Sequence, residues 1–288
     1  MIKHFIYFTM TFLFLSCMGN QNNLLNDFTS SYETGMRKFN NHKFAAAKES
    51  FDYVVMTNPG SSLALSARYF LAESLFNLKE YNQAVEHYNK YIKYSVDPEK
   101  ILESRYKVCI ALYSVCLDFM RDQTSTLYTL DRLQDFIDDY PKSKNISNVE
   151  IFIEDLRNRL ARKQHQTGCL YMKIGEYDSA LLYFNDTIDN YYDTIYSDKA
   201  RISIIQSYLF KNEVSKAKAM LEIYKGEFRN SQYFSESQSI INDYNKKPSI
   251  SDYLDLYINS SKADESQNKR DLIVENIINN AMKQKKGK

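Results

Sequence analysis

Few side chains in this 288-residue chain could do covalent or acid–base chemistry, and they are scattered. Cysteines stand at positions 17, 109, 116 and 169, and imidazoles at His4 near the start and at His42, His87 and His165, the last three with no metal-ligand spacing to one another or to the cysteines. Cys109 and Cys116 fall seven residues apart on one predicted helix. That is roughly 10 Å by helix rise, beyond the ~7 Å between Cα atoms that a disulfide tolerates. Buried free thiols are expected instead. A Gly-rich phosphate loop and a Gly-x-Ser-x-Gly turn are both missing from the sequence. Carboxylates are abundant, but each shares a charged helix face with Lys or Arg, the ordinary solvated arrangement. No catalytic residue, metal site or cofactor is expected, and the chemistry left is that of recognition.

The elements that would carry recognition come from a recurring spacing. Phe44, Ala47, Phe51 and Val54 stand at offsets of three, four and three, as do Tyr81, Ala84, Tyr88 and Tyr91. Tyr177, Ala180, Phe184 and Thr187 repeat the set, and Val214, Ala217, Leu221 and Tyr224 do so more faintly. Such offsets place each set on one helix stripe, where the small Ala admits a neighbouring helix and the aromatic fills the space beside it. A period near ~34 residues of paired helices belongs to tetratricopeptide repeats. Paired helices are expected over 29–40 and 44–57, 63–78 and 81–94, 99–120 and 124–139, 146–173 and 177–190, and 195–211 and 214–228. The fold class is therefore all-α, a superhelical solenoid of about five helical hairpins. Pro59, Pro98 and Pro141 each follow a predicted second helix and Pro248 follows the last patterned segment, so proline stays out of helix interiors.

A second pattern lies in the first helices. Tyr32, Phe39 and Asn40 recur 37 residues later as Tyr69, Phe76 and Asn77. In tetratricopeptide repeats these first-helix positions line the concave groove, where rings could take a side chain and amides the backbone of an extended peptide. The alternative is that the rings simply fill space between repeats. The fifth repeat carries Ile202, Leu209 and Phe210 at the equivalent places, apolar residues suited to a lasting partner or to internal packing.

The ends suggest an address. Phe5 to Leu15 is almost wholly apolar but shorter than the ~20 residues of a membrane-spanning helix, which reads as a cleavable secretory signal over residues 1–16. Phe14-Leu15-Ser16-Cys17 resembles the lipobox of bacterial lipoproteins, which implies lipidation of Cys17. Residues 17–27, polar and Asn-rich, would form a tether. Cleavage before Cys17 removes Lys3, the one charged residue there, and takes the formal charge from +1 to zero, so no basic field invites nucleic acid. The repeat domain is expected over 28–245. The extension 246–288 is polar, ends in Lys283, Lys285, Lys286 and Lys288, and holds an apolar stripe of Leu272, Ile273, Ile277 and Ile278.

Three segments are more specific than the repeats. Arg121-Asp122-Gln123-Thr124 precedes a helix that ends Tyr140-Pro141-Lys142-Ser143, and Asn158-Arg159-Leu160-Ala161 and Gly175-Glu176-Tyr177-Asp178 follow. Asp122 or Thr124, and Ser143 or Ser147, could cap the helices after them. With the lipobox and five repeats, these segments resemble the BamD family, lipoproteins of the outer-membrane β-barrel assembly machinery, from about residue 28 to 245. The resemblance implies a scaffold anchored by lipid at the periplasmic face of the bacterial outer membrane. Its implied partners are a BamA-like β-barrel insertase, other assembly-machinery lipoproteins and unfolded outer-membrane proteins, whose carboxyl-terminal signal would be read in the amino-terminal groove. The insertase would dock on the carboxyl-terminal repeats. The competing reading is a tetratricopeptide lipoprotein that binds peptide, cell-wall or glycan ligands for another envelope system, although sugar platforms favour Trp and this chain has none.

Overall fold

The three–four–three stripes become the buried faces of helices. In the computed structural model, which describes residues 27–244 and 265–283, α1 spans 27–40, α2 Phe44–Thr57, α3 Ser62–Asn77, α4 Tyr81–Tyr94 and α5 Pro98–Val115. They are followed by α6 (Thr124–Asp139), α7 (Ile146–Lys173), α8 (Tyr177–Asn190), α9 (Ile195–Phe210), α10 (Val214–Tyr224), α11 (Ser231–Asp243) and α12 (Glu265–Lys283). The fold is all-α and tetratricopeptide-like, with no strand among the described residues. Ala47, Ala84, Ala180 and Ala217 are completely buried, as are Phe51, Tyr88 and Phe184 at the next position of the stripe. No described helix is long and apolar enough to cross a membrane.

Packing divides the chain into two units. One holds α1 to α5 together with the last turn of α12 from Ala281, and the other runs from Cys116 to Asn280. In the first, each of α2 to α5 packs on the next along the chain. In the second, α6 packs on α7, α7 on α8 and α8 on α9, and α9 is also covered by α7, α10 and α11. That enclosure explains α9, which buries residues on every side, Asp198, Arg201 and Gln206 included.

Four hairpins close through the same turn. His42, Lys79, Gly175 and Asn212 adopt left-handed backbone, with φ of 57°, 62°, 85° and 59°. In each, that residue's N–H reaches the carbonyl three residues back, and the following N–H reaches five back. Lys79 to Phe76 (3.0 Å) with Glu80 to Leu75 (2.9 Å), and Asn212 to Leu209 (2.9 Å) with Glu213 to Tyr208 (2.8 Å), are two instances. This paired closure satisfies carbonyls that a helix end would leave without partners. It needs no side-chain cap, and Lys43, Glu80, Glu176 and Glu213 make none.

The third hairpin departs from the expected boundaries. α5 stops at Val115 rather than 120, because Asp118 turns the chain locally: its carboxylate accepts from Met120 N–H (3.0 Å) and its carbonyl from Arg121 N–H (2.9 Å). Pro98 does not merely follow α4; it is the first residue of α5, and Asp97 accepts from Glu99 and Lys100 N–H at 3.1 Å. α11 was not expected at all. Asn230 caps it by accepting from Gln232 N–H at 2.9 Å. The apolar stripe of α12 also differs: Val274, Ile277 and Ala281 are buried while Leu272 and Ile273 are exposed. Cys17 and Pro248 lie outside the described residues.

Candidate functional site

The expected groove residues of the first unit sit on α1 and α3. Phe39 is buried against the rings of Phe44, Phe51 and Phe70, with centroids 5.4 to 6.4 Å away. Tyr32, half-buried, leans edge-on against Phe51 and Phe70. Tyr69 packs on Tyr88 and Tyr91, and Phe76, fully buried, packs on Tyr81 and Tyr88. Asn40 is exposed, and Asn77 donates to the carbonyl of Glu73 in its own helix (2.7 Å). The three rings Phe39, Tyr69 and Phe76 therefore fill space between helices, leaving Tyr32, Asn40 and Asn77 within reach of solvent.

Behind Phe76 lies a buried polar cluster that the sequence patterns did not single out. Glu73 is almost fully buried and accepts from the Tyr88 hydroxyl at 2.6 Å. Lys107 of α5 stands 3.7 Å from the other Glu73 oxygen, 4.4 Å from the centre of the Phe76 ring, and donates to the Ala281 carbonyl at 2.7 Å. Tyr69 donates to Glu103 at 2.8 Å. Burial, with the charges of Glu73 and Glu103 adding to it, pushes the Tyr69 hydroxyl well above its usual range, and Tyr88 moves the same way. Both phenols are thus fixed as donors to carboxylates. A lone Glu among Leu71, Ala72, Leu75 and Phe76, and a lone Lys beside Tyr106 and Val108, were the available signals. A charge on a helix buried all round has to be paired.

In the second unit, Ile202 and Leu209 join the core with Ala180, Phe184, Ile205 and Leu221, and Phe210 stacks on Tyr177 with planes 3° apart. The exposed apolar patch expected at Ile202 and Leu209 is instead interior, because α7, α10 and α11 all close over α9. Asp198, at the start of α9, accepts from Arg201 (3.1 Å) and from the N–H groups of Arg229 and Asn230 (3.1 to 3.3 Å), which seats the start of α11. Arg157 grips Asp193 with two donors, at 2.7 and 2.5 Å, and holds its carboxyl below the usual carboxylate range. The segments that follow α8 and α10 carry no proline and are held by these two carboxylates.

The Asp-Gln-Thr segment acts through Gln123 rather than through the expected caps. Its buried amide donates to the carbonyls of Asp118 and Arg121 (2.9 and 3.0 Å) and accepts from Thr126 (3.0 Å), while Lys163 of α7 donates to the Arg121 carbonyl at 2.6 Å. Neither Gln123 nor Asn145 caps its helix with a side chain. Ser143 instead accepts from Asn145 N–H (3.3 Å).

One pairing has the outline of catalytic machinery. Cys169 Sγ lies 3.7 Å from His165 Nδ1, and His165 Nε2 is 3.1 Å from Ser203 Oγ. A nucleophilic pair needs a thiolate and an imidazolium. Here burial pushes the thiol up to about 12, and burial with the nearby Lys199 charge takes His165 down to about 3. Burial thus favours the neutral form of both groups and works against the charged pair that such chemistry needs. No group of three or more potential metal ligands occurs among the described residues.

Stacked helical hairpins with such interiors define a tetratricopeptide-class fold. A family model described as "Outer membrane lipoprotein" (YfiO) matches residues 26–209, and the chain belongs to that family. It is 24% identical over 225 residues to the outer membrane protein assembly factor BamD of Rickettsia prowazekii (strain Madrid E), covering 78% of this chain and 90% of that protein. To the protein of the same name from Caulobacter vibrioides (strain ATCC 19089 / CIP 103742 / CB 15) it is 20% identical over 219 residues, covering 76% and 72%. Among solved structures it is similar to the P58(IPK) TPR domain (13% identity, TM-score 0.41, 94% of this chain and 69% of that one).

Proposed function

We propose that this protein is a non-enzymatic scaffold of outer-membrane protein assembly, anchored by lipid on Cys17 at the periplasmic face of the outer membrane. It holds a β-barrel insertase together with companion lipoproteins and engages unfolded outer-membrane proteins. The observation that carries this reading is the family match across α1 to α9, supported by two relatives named as assembly factors. The architecture agrees with it, since helical hairpins offer extended surfaces for partner chains.

Within this reading, substrate capture falls to the face of α1 and α3. Tyr32, Asn40 and Asn77 are the members of the expected groove that solvent reaches; Phe39, Tyr69 and Phe76 support them from behind. Docking of the insertase falls to the carboxyl-terminal repeats, through surface residues outside the Ile202–Leu209 core. The test is affinity purification of the tagged protein from native membranes. An insertase of the β-barrel type should co-purify; its consistent absence, with the bait folded and membrane-bound, would overturn the assignment.

A further inference from the structure

The last turn of α12 belongs to the first unit and ends on a specific contact. A helix leaves its final carbonyls without intrahelical partners and carries roughly half a negative charge at that end. Ala281, buried, lies in that turn, and its carbonyl receives the Lys107 ammonium at 2.7 Å. Lys107 is itself 4% exposed, stands over the Phe76 ring and lies beside Glu73. A buried cation against an aromatic face, with a helix end seated on it, has the chemistry of a receptor for a carbonyl-bearing or carboxylate-bearing chain end.

We propose that the α3–α5 face of the first unit is a receptor for the carboxyl-terminal turn of a helix, filled in cis by the end of this chain's own α12. A partner segment that uses this face does so by displacing that turn. The second statement rests on the peptide-capture reading above; the first does not. The occupant is identified by the contact itself: Ala281, the first residue of α12 that belongs to this unit, is buried and supplies the bonded carbonyl. The site lies at Glu73 of α3 and Lys107 of α5, and shares α3 with the residues considered for capture.

Ala281→Lys in the full-length protein tests this. It sets a second ammonium and a long stem against Lys107, on a turn outside the hairpins themselves. A fluorescent peptide spanning Glu265–Lys283 should bind the variant at least about tenfold more tightly than the wild type, as expected when a competing bound state is removed. A peptide carrying the same substitution should not bind. Amide exchange over 274–283 should accelerate in the variant. Equal binding to both proteins, or no binding to the variant, overturns the receptor. A second probe, a synthetic carboxyl-terminal decapeptide of an outer-membrane β-barrel protein, separates the two statements. Displacement of the labelled helix by this decapeptide supports competition. If the helix peptide binds but the decapeptide binds the variant without displacing it, competition is wrong and the receptor stands. If the decapeptide binds neither protein, the capture reading fails while the cis contact is upheld.

Discussion

At Gly168, a Cβ would stand 2.6 Å from Cε1 and 2.8 Å from Cδ1 of Phe184, a ring with no exposed surface and nowhere to retreat. Gly168→Ala should therefore destabilise by about 1–3 kcal/mol, the usual cost of overpacking, despite the better helix propensity of Ala. Gly226→Ala, with nothing within 4 Å of its Cβ, is the control and should leave the thermal midpoint unchanged. Phe76→Ser should lower stability by about 3–5 kcal/mol as a core deletion does, because that ring is fully buried. A folded Phe76→Ser protein with an unchanged midpoint would return the ring to the groove surface. His165 gives a pH signature. Its folded pKa, about 3, lies below the unfolded value, so the unfolded chain takes up a proton first. Stability is full above the unfolded value and is lost as pH falls toward about 3, by up to ~1.4 kcal/mol per pH unit. The groups packed around the ring are Cys169, Phe184, Tyr196, Ser203 and the cationic Lys199, none of which compensates an imidazolium. Denaturant melts at pH 7 and pH 5 should show a larger loss for wild type than for His165→Gln.

The hairpin is the unit in which most of the sequence signal was written, and its turns are testable. Gly175 is left-handed with open space around its Cβ, so Gly175→Ala should cost about 1–2 kcal/mol through backbone strain alone. Urea melts would show it, and a neutral result would mean that the turn relaxes. The stripes of α2, α4, α8 and α10 were legible because Ala stood at the tight position and a large residue followed it. α6 uses the same spacing through Thr126, Thr129, Leu133 and Phe136, all buried, but Thr replaces Ala and the aromatic comes last, which hid it. The early stop of α5 depended on one Asp turning the chain, and α11 on two backbone N–H groups held by a distant Asp198; neither is visible as periodicity. The candidate groove was half legible. Register placed the rings on the right helices, but burial is decided by neighbouring hairpins, and the pairing of Glu73 with Lys107 joins residues 34 positions apart.

For the molecule as a whole, attachment to the envelope is the property most open to test. Under the proposed function Cys17 carries the acyl groups, and a single chain gives only marginal attachment whereas several act together. Cys17→Ala should abolish labelling by a radioactive or alkyne fatty acid and shift the protein out of the outer-membrane fraction. A wild-type protein that takes up no label would remove the anchor. Ala84→Leu and Ala180→Leu, one in each unit, should each lower stability by about 1–3 kcal/mol, since both positions are closed completely. Damage should spread to adjacent hairpins, because stacked repeats are stable through their interfaces. Local protection against amide exchange would map how far each defect travels.

The fit of Gly168 against Phe184 has a bearing on how such a chain can change over generations. The same fit appears at Gly35 against Phe51, yet 37 residues after Gly168 and Phe184 stand Ile205 and Leu221, both interior, with the bulk moved from one helix to the other. The two hairpins share a closing turn and keep these positions 37 residues apart, so a crossover between equivalent points of their coding segments would keep the register. It would nevertheless unite Ile with Phe, or Gly with Leu, whenever it fell between the paired positions. One recombinant would be overfilled and the other hollow. Neighbouring copies that began interchangeable are in this way locked into separate lineages, each free to diverge only by matched pairs.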